Sequence, residues 1–143
     1  MKSNESSRRS GLGFTLIELL VVLAILGLLA GLVGPRVLGQ LGGAKSKTVA
    51  VQIKDLESAA EMFKLDIGRF PTDQEGLPAL VTQPAGVAGW NGPYLRKGLP
   101  ADPWGNPYRY RSPGQNADVD IYSLGADNAQ GGDGENADVG NWQ

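Results

Sequence analysis

Residues 13–33 read GFTLIELLVVLAILGLLAGLV, and the fold turns on them. From Phe14 to Val33 there are twenty residues whose only polar members are Thr15 and Glu18. Twenty helical residues rise ~30 Å, the hydrocarbon thickness of a bilayer, so the segment predicts a membrane-spanning helix. Ahead of it lies MKSNESSRRSGLG, which is polar and sets Lys2, Arg8 and Arg9 against the single Glu5. Basic residues before a span hold that end in the cytoplasm and place the rest of the chain across the membrane. An ordinary secretory signal has a shorter apolar region and an A-x-A-like cleavage site after it; here GPRVLGQL follows. Arg8-Arg9 suggests a twin-arginine signal, but an acid inside the apolar run fits that signal poorly.

That acid, Glu18, needs an explanation. A carboxylate at the centre of a spanning helix costs roughly 2.5–3.5 kcal/mol. Glu18 lies only four residues past Phe14, roughly 6 Å along the axis, so in a lone chain it can reach the interface. At the other end of the run, Gly34-Pro35 interrupts the pattern. Proline removes an amide donor and clashes with the preceding turn, and glycine lowers helix propensity further. A kink and a locally melted stretch both fit.

Composition narrows the chemistry. A chain of 143 residues forms one domain with a modest core. Its 21 Gly are about twice the usual ~7% share, so turns and loops are abundant. With no Cys, disulfides, thiol nucleophiles and the common structural zinc sites are excluded. With no His, the commonest general base is missing. A net charge of −2 argues against nucleic-acid binding, which needs a basic face. Hard-cation chemistry through carboxylates remains. An enzyme would need a carboxylate pair in a pocket, and the acids here cluster on a Gly-rich loop.

Beyond Gly39, Gly42 and Gly43, helical periodicity returns. Val49, Ile53, Leu56, Ala60, Phe63 and Ile67 are spaced 4, 3, 4, 3, 4, an apolar stripe down one face that predicts a core. Gly68 is placed as the residue after the C-cap, and Pro71 enforces the stop. Glu57 and Glu61 stand at i, i+4 on the exposed face, a mildly repulsive pair. Eight of the nine prolines fall within 71–113, which excludes long regular elements there. Thr72 with Glu75 has capping-box spacing ahead of a short helix at about 73–82. Trp90, Tyr94, Leu95 and Leu99 are expected to anchor irregular backbone to the core. A strand is expected near 108–111, a turn over 112–116, and a returning strand over 119–124.

The last stretch, 118–143, holds Asp118, Asp120, Asp127, Asp133, Glu135 and Asp138 with five glycines and no Lys or Arg. Such a loop repels itself and stays disordered unless a cation folds it. Ca²⁺, which takes six to eight oxygens at ~2.3–2.6 Å in flexible geometry, suits oxygen-rich loops of this kind. Asp127 to Asp138 has the acid density of an EF-hand loop, but its glycines are misplaced and no flanking helices are expected. A calcium site and a disordered acidic tail fit the composition equally. Asp118 and Asp120 flank strand residues and are expected to be solvated.

Two stretches carry a family resemblance. GFTLIE opening a long apolar run behind a short basic leader, with Pro35 at its end, resembles the cleavage and methylation signature of the type IV pilin superfamily. LPADPWGNPYRYRSPGQ, residues 99–115, followed by DVDIYSLGADNAQGGDGENADVGNW, residues 118–142, is similar to the G-type pseudopilins of type II secretion systems. The resemblance implies an α+β, pilin-like fold: a long N-terminal helix on a small antiparallel sheet, with a calcium-binding C-terminal loop. It divides the chain into a leader (1–13), a transmembrane and filament-core helix (14–35), an amphipathic continuation (36–70) and a periplasmic globular part (71–143). Prepilin peptidase would cut between Gly13 and Phe14, and the new Phe14 amine would be methylated. Glu18 would neutralise that amine of a neighbouring copy, since a buried carboxylate demands such a partner. Pro35 is placed with the assembly residues. By their positions alone, Glu57 and Glu61 form a solvated face or, alternatively, meet Arg96 or Lys97 of an adjacent subunit and set filament register. The calcium would be held by Asp127 and Asp138 side chains and the Leu124 carbonyl, with further oxygens from Gln130, Asp133 and Glu135. The implied role is that of a structural, non-enzymatic subunit of a periplasmic pseudopilus that drives export of folded proteins. It is stored in the bacterial inner membrane with its N-terminus cytoplasmic. Implied partners are further copies, minor pseudopilins and an inner-membrane assembly platform, with no nucleic acid. A type IV or competence pilin is the alternative, but those usually close a C-terminal loop with a disulfide. Removing the leader leaves ten bases against fourteen acids, a net −4 on the exported part.

Overall fold

The computed structural model describes residues 11–143. The leader cations Lys2, Arg8 and Arg9 lie outside the described residues. One helix, α1, runs Leu16–Ile67 for 52 residues and is unbroken across Pro35, where the missing amide forgoes a single backbone bond. The chain divides into two compact units, one ending at Leu38 and the other spanning Gly39–Gln143.

In the first unit the helix is apolar on every side. Leu19, Val22, Ile25, Leu29 and Val33 are each 50–54% exposed, and an eighteen-residue window has a mean hydropathy of 2.8. A helix hydrophobic all round belongs in a bilayer or in the core of a larger assembly.

The second unit has an ordinary core built on the expected stripe. Val49, Ile53, Leu56, Ala60 and Phe63 are at most 2% exposed. They pack with Leu77, Leu80, Val87, Tyr108 and Ile121, and Ile67 sits at the edge of this cluster. Helix α1 stops where expected: Gly68 has φ 91°, and its N–H donates to Lys64 O at 2.7 Å, the single bond of a left-handed cap. Trp90 and Tyr94 stack edge-on with centroids 5.7 Å apart, and Tyr94 meets Phe63 likewise at 5.9 Å. Trp90 donates its indole N–H to Ala79 O at 2.8 Å, pinning the proline-rich stretch to the core. Leu99 is different: it is 39% exposed and anchors nothing.

The short helix expected at about 73–82 is replaced by a turn and a 3₁₀ segment, Leu77–Leu80. The capping box itself forms. Thr72 N donates to Glu75 Oε2 at 2.9 Å, and Glu75 N to Thr72 Oγ1 at 3.2 Å. Helix growth fails because Gly76 takes φ 59° and Pro78 then offers no N–H. Glu75 also receives both Arg69 nitrogens, at 2.8 and 2.9 Å. Those hydrogen bonds hold its carboxyl at about 2, against the opposing effect of burial and with help from Thr72. A carboxylate depressed from 4.5 stabilises the fold above that pH and loses its contribution as pH falls towards 2. Arg69 is 44% exposed, so the contribution is about 1 kcal/mol. Glu75→Gln is expected to flatten the stability-versus-pH curve in that window and leave its slope near neutrality unchanged, as read by acid-denaturation titration.

Three strands complete the fold. Strand β1, Arg109–Arg111, and β2, Asp120–Ser123, pair antiparallel with Tyr110 opposite Ile121. Strand β3, Val139–Gly140, adds to the far edge of β2 with Tyr122 opposite Gly140. The first two match the expected hairpin within a residue. The third lies inside the acidic stretch and was not expected, because two residues carry no readable period.

Asp120 reverses its expectation. It is 2% exposed rather than solvated. Its carboxylate accepts the backbone N–H groups of Gln115, Asn116 and Ala117 at 2.8–3.1 Å, and so builds the 112–116 turn. Burial pushes its carboxyl up, but these donors and the Asn116 amide outweigh it and hold the group below its ordinary value.

Candidate functional site

Two places carry the candidate residues, and each belongs to its own unit. At the start of α1, Thr15 N donates to Glu18 Oε2 at 3.3 Å and Glu18 N to Thr15 Oγ1 at 3.2 Å. This is a reciprocal capping box. It caps α1 at Thr15, so that the helix begins three residues after Gly13, and it places the carboxylate beside the Thr15 amide in a segment that is otherwise apolar. Gly13 and Phe14 precede the helix in irregular backbone, and Phe14 is 89% exposed. The scissile bond implied by the resemblance therefore lies in exposed, irregular chain. The capping role of Glu18 was not expected, although Thr15-x-x-Glu18 has the same spacing as Thr72-x-x-Glu75.

The assembly residues of the second unit separate. Glu61 and Arg96 are exposed. Glu57 is half-buried rather than on an open face: Asn141 Nδ2 donates to Glu57 Oε1 at 3.2 Å. The same amide donates to Val119 O, and its oxygen accepts from Ile121 N. Glu57 thus ties the chain end to α1.

The acidic loop is organised around its backbone. Ser123 Oγ donates to Asp102 Oδ2 at 2.8 Å and accepts from Gly125 N at 3.1 Å. Asp102 is 4% exposed and also accepts from Trp104 N and Asn106 N. Sequence reasoning missed Asp102, although Asp followed by Pro-x-Gly is a turn signal. Leu124, Gln130 and Asp138 line a cavity of about 220 Å³ together with Arg111, Asp120 and Tyr122. Asp138 Oδ2 accepts from Gly131 N at 3.0 Å, while its Oδ1 is buried without a hydrogen-bond partner.

The other candidate ligands stand apart from that cavity wall. Asp127 is exposed, and its Oδ1 accepts from Ala129 N at 3.2 Å. Asp133 is exposed ahead of a 3₁₀ turn, Gly134–Asn136. Glu135 turns its carboxylate to Trp104 Nε1 at 3.4 Å. Among the described residues no three acidic side chains converge closely enough to hold a metal ion. The orphaned Asp138 oxygen still fits a bound cation, because a buried anion without a partner is costly.

Comparison with known proteins agrees with both units. Residues 8–34 match the family model described as the prokaryotic N-terminal methylation motif, and residues 36–142 match that for type II secretion system protein G. The chain is 48% identical over 138 residues to the type II secretion system core protein G of Pseudomonas aeruginosa, covering 94% of this chain and 97% of that one. It is 46% identical to the Vibrio cholerae protein of the same description, covering 94% and 93%. A crystal structure of the major pseudopilin from the type 2 secretion system of enterohaemorrhagic Escherichia coli superposes with TM-score 0.65 at 37% identity. That match covers 73% of this chain and 87% of the other. A methylation motif leading straight into a domain of this kind, at nearly full coverage of its relatives, settles the assignment: the chain belongs to the type II secretion system protein G family.

Proposed function

We propose that this protein is the subunit that polymerises into the periplasmic pseudopilus of a type II secretion system, a structural and non-enzymatic role in exporting folded proteins across the outer membrane. The observation that carries the reading is the junction of the methylation-motif segment, 8–34, with the protein G segment, 36–142, within one helix. Prepilin peptidase cuts between Gly13 and Phe14, and the Phe14 amine is then methylated. Until assembly the apolar part of α1 holds the subunit in the inner membrane, N-terminus cytoplasmic and remainder periplasmic. Helical growth requires a heterologous contact that does not close, and an all-round apolar helix supplies a continuous one. Minor pseudopilins and an inner-membrane platform are the further partners. Intact-mass measurement on the membrane form tests the processing: loss of residues 1–13 with one added methyl group is expected, and an uncut chain contradicts it.

Ca²⁺ is the proposed ligand of the C-terminal loop. Asp138 and the Leu124 carbonyl form its base at the cavity, with Gln130 beside them. Asp127 and Asp133, both exposed, are proposed to complete the ligand set, Asp133 lying between Gly132 and Gly134. The charge that supports this reading is the run of six acids over 118–143 without a base.

Between subunits, Glu61 is proposed to pair with Arg96, both exposed. Glu61→Arg and Arg96→Glu are each expected to lower filament yield several-fold, and the double reversal to restore it. An unrestored double variant removes that pairing.

A further inference from the structure

Glu135 is the residue of the acidic loop that least resembles a ligand, and its surroundings give it a different task. Its backbone is held within the loop, where Ala126 N donates to Glu135 O at 2.8 Å. Its side chain leaves the loop and crosses to α1. There it fills the space over Gly42, so that a Cβ on Gly42 would stand 2.7 Å from Glu135 Cγ and 3.0 Å from Cδ. Gly42 is buried, whereas its neighbours Gly39 and Gly43 are exposed with nothing within 4 Å of the same position. The carboxylate then meets Trp104 Nε1, on the 102–106 turn that Asp102 organises. Three elements distant in sequence therefore converge on one side chain: the helix at 42, the turn at 104 and the acidic loop at 135.

We propose that Glu135 is the latch of the acidic loop on α1, with Gly42 as its notch and Trp104 as its keeper, and that it transmits ordering of the loop to the helix. The proposal rests on the reading of residues 124–138 as a cation-ordered loop, and it moves Glu135 from ligand to positioning residue. What sets Gly42 apart is room, not backbone freedom, since helix α1 is regular at that point: a Cβ there would force the Glu135 side chain out of its place. That makes a test by sign possible. At an ordinary helical site Gly→Ala is stabilising, because alanine has the higher helix propensity.

The full chain in detergent micelles is the material, and thermal melting is the first readout. Gly39→Ala and Gly43→Ala are expected to raise Tm, by about 4 °C each if the helix gains its normal propensity. Gly42→Ala is expected to lower it. In a Glu135→Ala background the notch is empty, and Gly42→Ala should again raise Tm. A rise in both backgrounds overturns the latch. Because Glu135→Gln keeps the methylenes and an oxygen for Trp104, it should retain the wild-type response to Gly42→Ala.

The second readout is amide hydrogen exchange at residues 43–48 with and without Ca²⁺. Added Ca²⁺ should slow exchange there in the wild type and leave it unchanged in Glu135→Ala. Calcium affinity of Glu135→Ala, measured by titration calorimetry, should fall modestly, because the coupling is reciprocal, and by no more than the roughly 10–100-fold of a residue acting through the ligands. Complete loss of Ca²⁺ binding makes Glu135 a ligand and overturns the assignment. If the wild type binds no Ca²⁺, the cation reading falls by itself, and the sign inversion at Gly42 still decides whether the latch exists.

Discussion

Glu18→Ala is expected to leave the protein inserted and cleaved while abolishing filaments. Removing a carboxylate from an apolar segment makes insertion no harder, so failure to enter the membrane cannot explain the loss. The capping box with Thr15 shows what the carboxylate does in a single chain: it accepts one amide N–H at 3.3 Å. That contact is weak company for an anion in hydrocarbon. On the proposed processing, cleavage after Gly13 would create a cation at Phe14, one residue from that amide. Packing of subunits would then bury Glu18, and an unpaired buried charge costs about 3–5 kcal/mol. Pairing it with a neighbour's amine would remove this cost at every subunit.

Helix capping and charge pairing can be separated. Glu18→Gln preserves the capping geometry, since glutamine serves at that position as well as glutamate, but it cannot neutralise an amine. Both variants should therefore show the mass of the cleaved chain and yield no sheared filaments above background. Normal filament yield from Glu18→Gln would reduce Glu18 to a helix cap.

How much of this was legible in the sequence varies with the range of the interaction. The stripe from Val49 to Phe63 was readable because core burial imposes the helical period on five positions, and all five are buried. The hairpin of β1 and β2 was readable because Ser112-Pro113-Gly114 marks its turn. What was not legible involved acids whose hydrogen-bond donors are brought to them only by folding. Asp120 was expected in solvent by its chemistry, but it is buried because three consecutive amides of the turn converge on it. Glu57 was expected on an open face by helical spacing, but it is half-buried by Asn141, 84 residues away. Glu135 stands among the calcium oxygens by the resemblance alone, and no local pattern announces that its side chain lies over Gly42 on α1. Periodicity and turn chemistry are local codes, and a carboxylate's partner is decided by tertiary folding. The acidic loop was legible as a unit from its composition, while the hydrogen-bond partner of each carboxylate was not.

Chelation of Ca²⁺ is expected to lower the melting temperature of the full chain substantially and to open the loop to protease. A ligand that binds only the native state stabilises it by RT ln(1 + [L]/Kd), about 2.7 kcal/mol at a hundred times Kd. For a unit the size of Gly39–Gln143, that corresponds to roughly 10 °C or more in Tm. The structure supplies two reasons. Asp138 Oδ1 is buried with no hydrogen-bond partner, a deficit that a cation would remove. Asp127, Asp133 and Asp138 carry like charge on a loop that has no Lys or Arg, so their mutual repulsion is relieved only from outside the loop. Arg111 lines the same cavity and is the internal competitor for Asp138. The two sources of compensation predict opposite responses. If Ca²⁺ does the neutralising, Asp138→Asn removes the calcium-dependent rise in Tm, and Arg111→Ala leaves that rise intact or enlarges it. If Arg111 does so, melting is the same with excess Ca²⁺ and with chelator, and Arg111→Ala destabilises in both. Limited proteolysis within residues 126–136 gives an independent measure, with cleavage slowed by Ca²⁺ in the wild type and not in Asp138→Asn. Identical melting and proteolysis with and without Ca²⁺ would remove the cation from the loop and leave Arg111 as the partner of Asp138.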